Sequence, residues 1–178
     1  ALLIGSGLAV ALALDGDDDG ALDAARATSS TPSAVKPAAV VVVRVPLSAV
    51  GALDPEGDQR ENDAEAVLAV DGDVATSWRT ERYESFFKEG VGLVLDAGAV
   101  RRLQRLDVVS ATPGVTAEIR AGTSRKGPFR TIARQRALRE VTRFPLGGAR
   151  GRYVVVWITG LPGGGEAEVA EARLRVRR

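Results

Sequence analysis

From Val40 onward the chain is cut into short apolar runs, and Val115-Thr116-Ala117-Glu118-Ile119-Arg120-Ala121 alternates apolar and polar residues without a break. A period of two turns one set of side chains to a buried face and the other to water, which describes a half-buried strand. The valine run over 40–45, broken only by Arg44, reads as a strand, as do 91–95, 103–110, 130–133, 141–144, 152–159 and 173–176. Glycine, proline or charged turns separate them, among them Thr112-Pro113-Gly114 and Lys126-Gly127-Pro128. Several short strands at this spacing predict an all-β protein, an antiparallel β-sandwich. Hydrophobic residues make up 45% of the chain and aromatics only 4%, so valine, alanine and leucine must carry the core. A length of 178 residues suits one such domain, with room for an apolar anchor and a linker.

The first residues do not fit the sandwich. Ala1 to Leu14 carry no charge, and as a helix they would reach roughly 21 Å, short of the ~30 Å hydrocarbon core. The chain begins without methionine, so the run is read as a partial transmembrane helix over 1–14 that continues upstream. A signal peptide would need a basic first region, which is absent. The acidic flank Asp15-Gly16-Asp17-Asp18-Asp19, with no lysine or arginine before Arg26, points outward because positive charge collects on the cytoplasmic side. Small, polar, proline-punctuated residues follow up to residue 38, a composition that cannot bury enough surface to order itself. The expected organisation is a single span in the cell membrane, a flexible extracytoplasmic linker over 15–38 and a sandwich over 39–178 on the extracytoplasmic side.

Missing residue types narrow the chemistry. Without cysteine there are no disulfides, thiolate metal sites or cysteine nucleophile, and without histidine the commonest general base and the usual zinc and copper ligand are gone. No Gly-x-Ser-x-Gly elbow, phosphate loop or zinc signature occurs, and Pro162-Gly163-Gly164-Gly165 lacks the lysine-serine pair that would make it a nucleotide cradle. The expectation is a protein that is not an enzyme. The net charge of +1 hides an asymmetry: residues 51–100 hold twelve acids against four bases, and residues 101–150 hold twelve bases against three acids. Interleaved strands would mix these into a balanced surface, while a basic face could meet lipid headgroups or an anionic polymer. Nucleic acid is excluded as a partner, since no recognised motif or aromatic-interleaved basic stripe accompanies the charge.

The densest cluster of oxygen ligands is Asp71-Gly72-Asp73-Val74-Ala75-Thr76, just ahead of Trp78. Calcium takes six to eight oxygens from carboxylates, hydroxyls and carbonyls, and a tight Asp-Gly-Asp turn presents several together. The EF-hand register fails, because its glycine would fall on Thr76 and its closing glutamate on Arg82. A short helix is expected before the turn, capped by Asn62, with Glu65 reaching back, Ala64, Val67 and Leu68 as its apolar face and an end near Val70.

With Asp54-Pro55-Glu56-Gly57-Asp58 and Glu61-Asn62 upstream, and Thr80-Glu81-Arg82-Tyr83 and Gly90-Val91-Gly92-Leu93-Val94-Leu95-Asp96 downstream, this region resembles the discoidin-like modules (F5/8 type C, galactose-binding-like). More narrowly, it is similar to the extracytoplasmic C-terminal domain of actinobacterial membrane proteins such as pseudokinase-linked lipid II flippase homologues. The resemblance covers roughly residues 40 to 176 and implies a jelly-roll β-sandwich. It also implies a structural calcium held by Asp71, Asp73, Thr76 and Glu171, with Glu168 a weaker substitute for the last. Trp78, at a position buried beneath the motif in that family, is assigned to the core, as are Tyr153 and Trp157 on one side of their strand. Tyr83, Phe86 and Phe87 lie in a stretch too charged for full burial and are candidate ligand contacts, although they could equally fold back over the sheet edge. Arg79 and Arg82 beside them offer planar, multi-donor hydrogen bonding.

The resulting expectation is a noncatalytic extracytoplasmic module that binds carbohydrate, such as a cell-wall glycan. The alternative is a protein-interaction or spacer domain with an envelope protein as partner.

Overall fold

The computed structural model describes residues 40–178, which fall within one compact unit, Ala38–Arg178. The expected membrane segment over 1–14 and the whole of the expected linker over 15–38 lie outside the described residues. Among the described residues no helix is long and apolar enough to cross a membrane.

Nine strands follow one another: β1 Val42–Val45, β2 Ser48–Leu53, β3 Trp78–Arg79, β4 Val91–Val109, β5 Thr116–Gly122, β6 Arg130–Ala137, β7 Val141–Gly160, β8 Glu168–Val169 and β9 Glu171–Arg177. All of the pairings between them are antiparallel. One sheet runs β1-β9-β4-β7-β5-β6 with β2 added on β4, and β3 pairs with β8 in a small ribbon. The stretches 91–95 and 103–110, expected as two strands, are one 19-residue strand, and 141–144 and 152–159 join into a 20-residue strand. Register shifts between Asp96 and Arg101 and between Leu103 and Arg105 let the long pair bend without parting. Gly98 at φ 75° and Gly147 and Gly148 at φ 61° and 77° supply the left-handed backbone at the bend.

That bend makes a sandwich from one continuous ladder. The first layer holds β1, β9, the second half of β4 and the first half of β7; the other holds β2, the remaining halves, β5 and β6. Between them lies one core, in which Leu103, Leu106, Phe144 and Leu174 of the first layer meet Leu93, Leu95, Val156 and Ile158 of the second. Alternation sends Val94, Tyr153, Val155 and Trp157 to the outer side of the second layer, where Val50, Leu53 and Phe129 cover them. Arg120 lies over the Trp157 ring, 4.2 Å from its centroid.

Among the described residues the single helix is a 3-10 helix over Asp63–Ala69, and its details depart from expectation. At three residues per turn the side chains at i, i+3 and i+6 share a face, so Ala66 and Ala69 are buried and Val67 is exposed. An α-helical period had selected Ala64, Val67 and Leu68. Asn62 adopts a left-handed conformation and makes no side-chain cap. Its amide instead donates to the carbonyls of Arg79 and Thr80, tying the helix start to β3.

Candidate functional site

Two differently built stretches meet at Trp78, which is fully buried and donates its indole N–H to the Glu61 carbonyl at 2.9 Å. On its N-terminal side the turn over 71–76 is exposed and closes on itself. Asp71 Oδ1 accepts from the Asp73 amide at 2.9 Å, Asp71 Oδ2 accepts from the Thr76 hydroxyl at 2.8 Å, and Asp73 Oδ1 accepts from the Ala75 amide at 2.9 Å. The Asp73 amide and the Thr76 hydroxyl hold the Asp71 carboxyl below its ordinary value.

Glu171, the first residue of β9, reaches the same place from the opposite end of the sequence. It lines with Asp71 and Gly72 an open cavity of about 460 Å³ to which Arg44, Pro46 and Leu47 also contribute. Its side chain is 1% exposed, its Oε2 has no hydrogen-bond partner among the described residues, and Arg44 approaches Oε1 only to 4.0 Å. Burial pushes the Glu171 carboxyl up and the Asp71 charge adds to this, while Arg173, Arg44 and the Gly72 amide oppose it. The donor set fits a hard cation: two carboxylates facing one cavity, one of them buried and unpartnered, beside a hydroxyl and a turn of backbone carbonyls. The Asp73 carboxylate is turned to Ala75, so its side chain does not join Asp71 and Glu171 in lining the cavity. Among the described residues no three or more Asp or Glu side chains are grouped so that they could hold a metal ion together.

On the C-terminal side of Trp78 the order comes from burial. Glu61 is 0% exposed and accepts from the Glu81 amide at 2.5 Å and from the Tyr83 hydroxyl at 2.9 Å. Lys88 donates to Tyr83 at 3.1 Å and to Asp54 at 2.6 Å, so a chain of polar contacts runs Glu61–Tyr83–Lys88–Asp54. Burial pushes the Glu61 carboxyl up. Although desolvation opposes the Lys88 charge, its hydrogen bonds to Asp54 and Tyr83 raise it overall. Tyr83 also exchanges backbone hydrogen bonds with Gly165, at 2.7 and 2.9 Å. The glycine loop is therefore tied to the segment at Gly165. A Cβ on Gly164 would sit 2.5 Å from the Glu84 carbonyl oxygen, at a φ of 75° that side chains rarely adopt.

This places the five candidate contact residues. Tyr83 is a half-buried strut within the polar chain, and Phe86 is half-buried against the core with its ring edge-to-face on Tyr83 at 5.2 Å. Of the two readings left open for these aromatics, packing holds for Tyr83 and Phe86. Phe87 is 91% exposed. Arg79 and Arg82 are exposed and lie 3.4 Å from Glu168 and 3.5 Å from Glu166. Glu168 is thus occupied by Arg79 on the β3–β8 ribbon. None of the aromatic residues lines the Asp71–Glu171 cavity.

No family model matches the chain. Solved structures do. The third carbohydrate-binding module of family 32 from a family 31 glycoside hydrolase of Clostridium perfringens aligns at 18% identity with a TM-score of 0.56, over 74% of this chain and 91% of that one. The family 32 module of C. perfringens NanJ, solved with galactose, aligns at 19% and 0.57, over 76% and 99%. A chitosan-binding module of a Paenibacillus chitosanase/glucanase aligns at 14% and 0.58, over 74% and 95%.

The fold is the discoidin-like, galactose-binding β-sandwich. At these identities the likeness is one of fold, and it spans nearly the whole of each neighbouring module. The expected discoidin-like architecture is therefore the observed one. The buried chain from Glu61 to Asp54 is not legible in the sequence, because only the fold brings Lys88 to Asp54 across 34 positions.

Proposed function

We propose that residues 40–178 form a noncatalytic carbohydrate-binding module that meets its glycan with Phe87, Arg79 and Arg82. The observation that carries this reading is Phe87, a ring left 91% exposed next to a lysine anchored to buried Asp54. Because Lys88 and the Glu89 amide beside it are anchored, the backbone that carries the ring loses little freedom when a sugar stacks on it. Arg79 and Arg82, exposed earlier in the same stretch, offer their guanidiniums to hydroxyls, and Tyr83 and Phe86 hold the stretch against the core. The fold neighbours solved with galactose and with a GalNAc–galactose disaccharide support a sugar as ligand.

In this reading Asp71 and Glu171, helped by Thr76 and the turn carbonyls of Asp73, hold a calcium ion that stiffens the turn leading into Trp78. The module works on the extracytoplasmic side of the membrane, within reach of cell-wall glycan. Affinity electrophoresis of the chain against galactose-bearing polysaccharides, chitosan and muropeptides tests the proposal. Retention by at least one, lost in Phe87→Ala at unchanged melting temperature, supports it. Absence of retention by all of them favours an interaction or spacer domain with an envelope protein as partner.

A further inference from the structure

The two layers of the sandwich differ on their outer sides. On the first layer, registered neighbours place Arg177 of β9, Arg102 of β4 and Arg150 of β7 in one row, directly opposite one another. Two residues along, Arg175 stands opposite Arg105, and beyond that Arg173 and Arg143 flank Asp107. Arg105 is neutralised by Asp107 at 2.9 Å, and Arg173 and Arg44, the latter opposite Arg175, act on the Glu171 carboxyl, with Arg44 no nearer than 4.0 Å. Among the described residues Arg102, Arg143, Arg150, Arg173, Arg175 and Arg177 form no ion pair, and the Nε of Arg173 is buried without a hydrogen-bond partner. Like charges directly opposite across strands destabilise a sheet, so this face stores repulsion that an anion relieves.

We propose that this arginine face is a docking surface for an acidic polysaccharide, a glycan chain with carboxylate or phosphate on its repeating units. The rows step by about 6.7 Å along the strands and about 4.8 Å between them, a lattice of guanidiniums that grips successive anionic groups bidentately. The chemistry disfavours the other polyanions. These rows carry no aromatic side chain on which a base could stack, and none larger than Val42 that could enter a bilayer. The surface is separate from the Phe87 loop and does not rest on the neutral-sugar reading.

The test is retardation of the full chain in gels containing polygalacturonate, with neutral dextran as control. The wild-type chain should be retarded by polygalacturonate alone, and the effect should fade between about 50 mM and about 200 mM salt, as expected for charge-driven binding. Arg102→Glu with Arg177→Glu, both exposed, should weaken it by roughly tenfold or more at unchanged melting temperature, and Arg150→Glu alone should act in the same direction. Phe87→Ala should leave it intact, which separates this surface from the proposed sugar site. No retardation at low salt, indifference to both charge reversals, or tighter binding to phosphatidylglycerol vesicles or single-stranded DNA than to polygalacturonate would overturn the proposal.

Discussion

The turn over 71–76 and the segment over 80–90 flank Trp78 and are both crowded with charge, yet they are held in opposite ways. The turn is exposed, and its carboxylates fold onto amides and a hydroxyl only a few residues away. The segment is anchored by long-range polar contacts, Glu61 to Tyr83 and Lys88 to Asp54. Their titrations oppose each other as well, since Asp71 is shifted down by hydrogen bonds and Glu61 up by burial. Local hydrogen bonding makes a loop closed on itself, beside a buried Glu171 whose Oε2 has no hydrogen-bond partner among the described residues. Burial makes a loop that depends on the whole domain, and it frees one ring, Phe87, from any structural duty.

The largest effect should come from the residue between them. Trp78→Ala removes a fully buried indole and its bond to the Glu61 carbonyl, and should cost about 3–5 kcal/mol in chemical denaturation. A loss under ~1 kcal/mol would mean that the two stretches are ordered independently of their shared anchor.

Next in size is Glu61→Ala, which leaves the Glu81 amide and the Tyr83 hydroxyl without an acceptor, at about 1–3 kcal/mol for each group that stays unsatisfied. Glu61→Gln isolates the titration. The carboxyl titrates near 4.5 when unfolded and higher when folded, so its contribution is fully present below 4.5 and fades as pH rises through the raised value. The stability of wild type relative to Glu61→Gln should therefore fall from pH 4 to pH 7. Asp71 runs the other way: its contribution is present above its ordinary value and lost as pH falls through the lowered one. Denaturation curves of Glu61→Gln from about pH 4 to pH 7, and of Asp71→Asn below about pH 4, should diverge from wild type with opposite slopes, and equal slopes would erase the distinction between the loops.

How much of this was legible in the sequence follows the range of each interaction. Alternation in Val115 to Ala121 and the valine runs revealed the strands, because a period of two is a local property. The lengths of β4 and β7 were hidden by Gly98, Gly147 and Gly148, which look like turns and act as bends within a continuous ladder. β2, with Gly51 in its middle, and the two-residue strands β3 and β8 carry too little pattern to be seen. The helix was placed correctly and phased wrongly, since nothing local separates a period of three from 3.6 over seven residues. At the site, the Asp71–Thr76 contacts lie within five residues, yet in the sequence the same oxygens read as ligands of a cation and not as partners of one another. The Glu61–Tyr83–Lys88–Asp54 chain was not legible, because folding alone decides which acids of 51–100 are buried.

The cation gives the third effect. A calcium ion bound only by the folded state adds about 2.7 kcal/mol at a hundredfold excess over its Kd. Chelation should lower the melting temperature of wild type, and Asp71→Ala should melt at the chelated value with or without added calcium. Glu56→Ala, whose carboxylate accepts from the Glu89 amide far from the cavity residues, should keep the calcium response. A melting curve indifferent to calcium would leave Glu171 as a buried carboxyl held by Arg44 and Arg173 alone.

The smallest stability effect and the most informative binding effect are predicted for Phe87. A side chain 91% exposed contributes almost no burial, so Phe87→Ala should change stability by less than about 0.5 kcal/mol. Tyr83→Phe is the matched control: it keeps the ring packed on Phe86 but removes the hydroxyl that links Glu61 to Lys88. It should cost about 1–3 kcal/mol through the unsatisfied partners. If Phe87 touches the glycan and Tyr83 only holds the loop, Phe87→Ala loses glycan retention at constant melting temperature, whereas Tyr83→Phe loses melting temperature first and keeps retention wherever it remains folded. The reverse pattern, with Tyr83→Phe abolishing retention at unchanged stability and Phe87→Ala silent in both assays, would move the contact surface from the exposed ring into the buried chain. The contrast between a loop that is locally held and one held by the core would then no longer mark where the ligand sits.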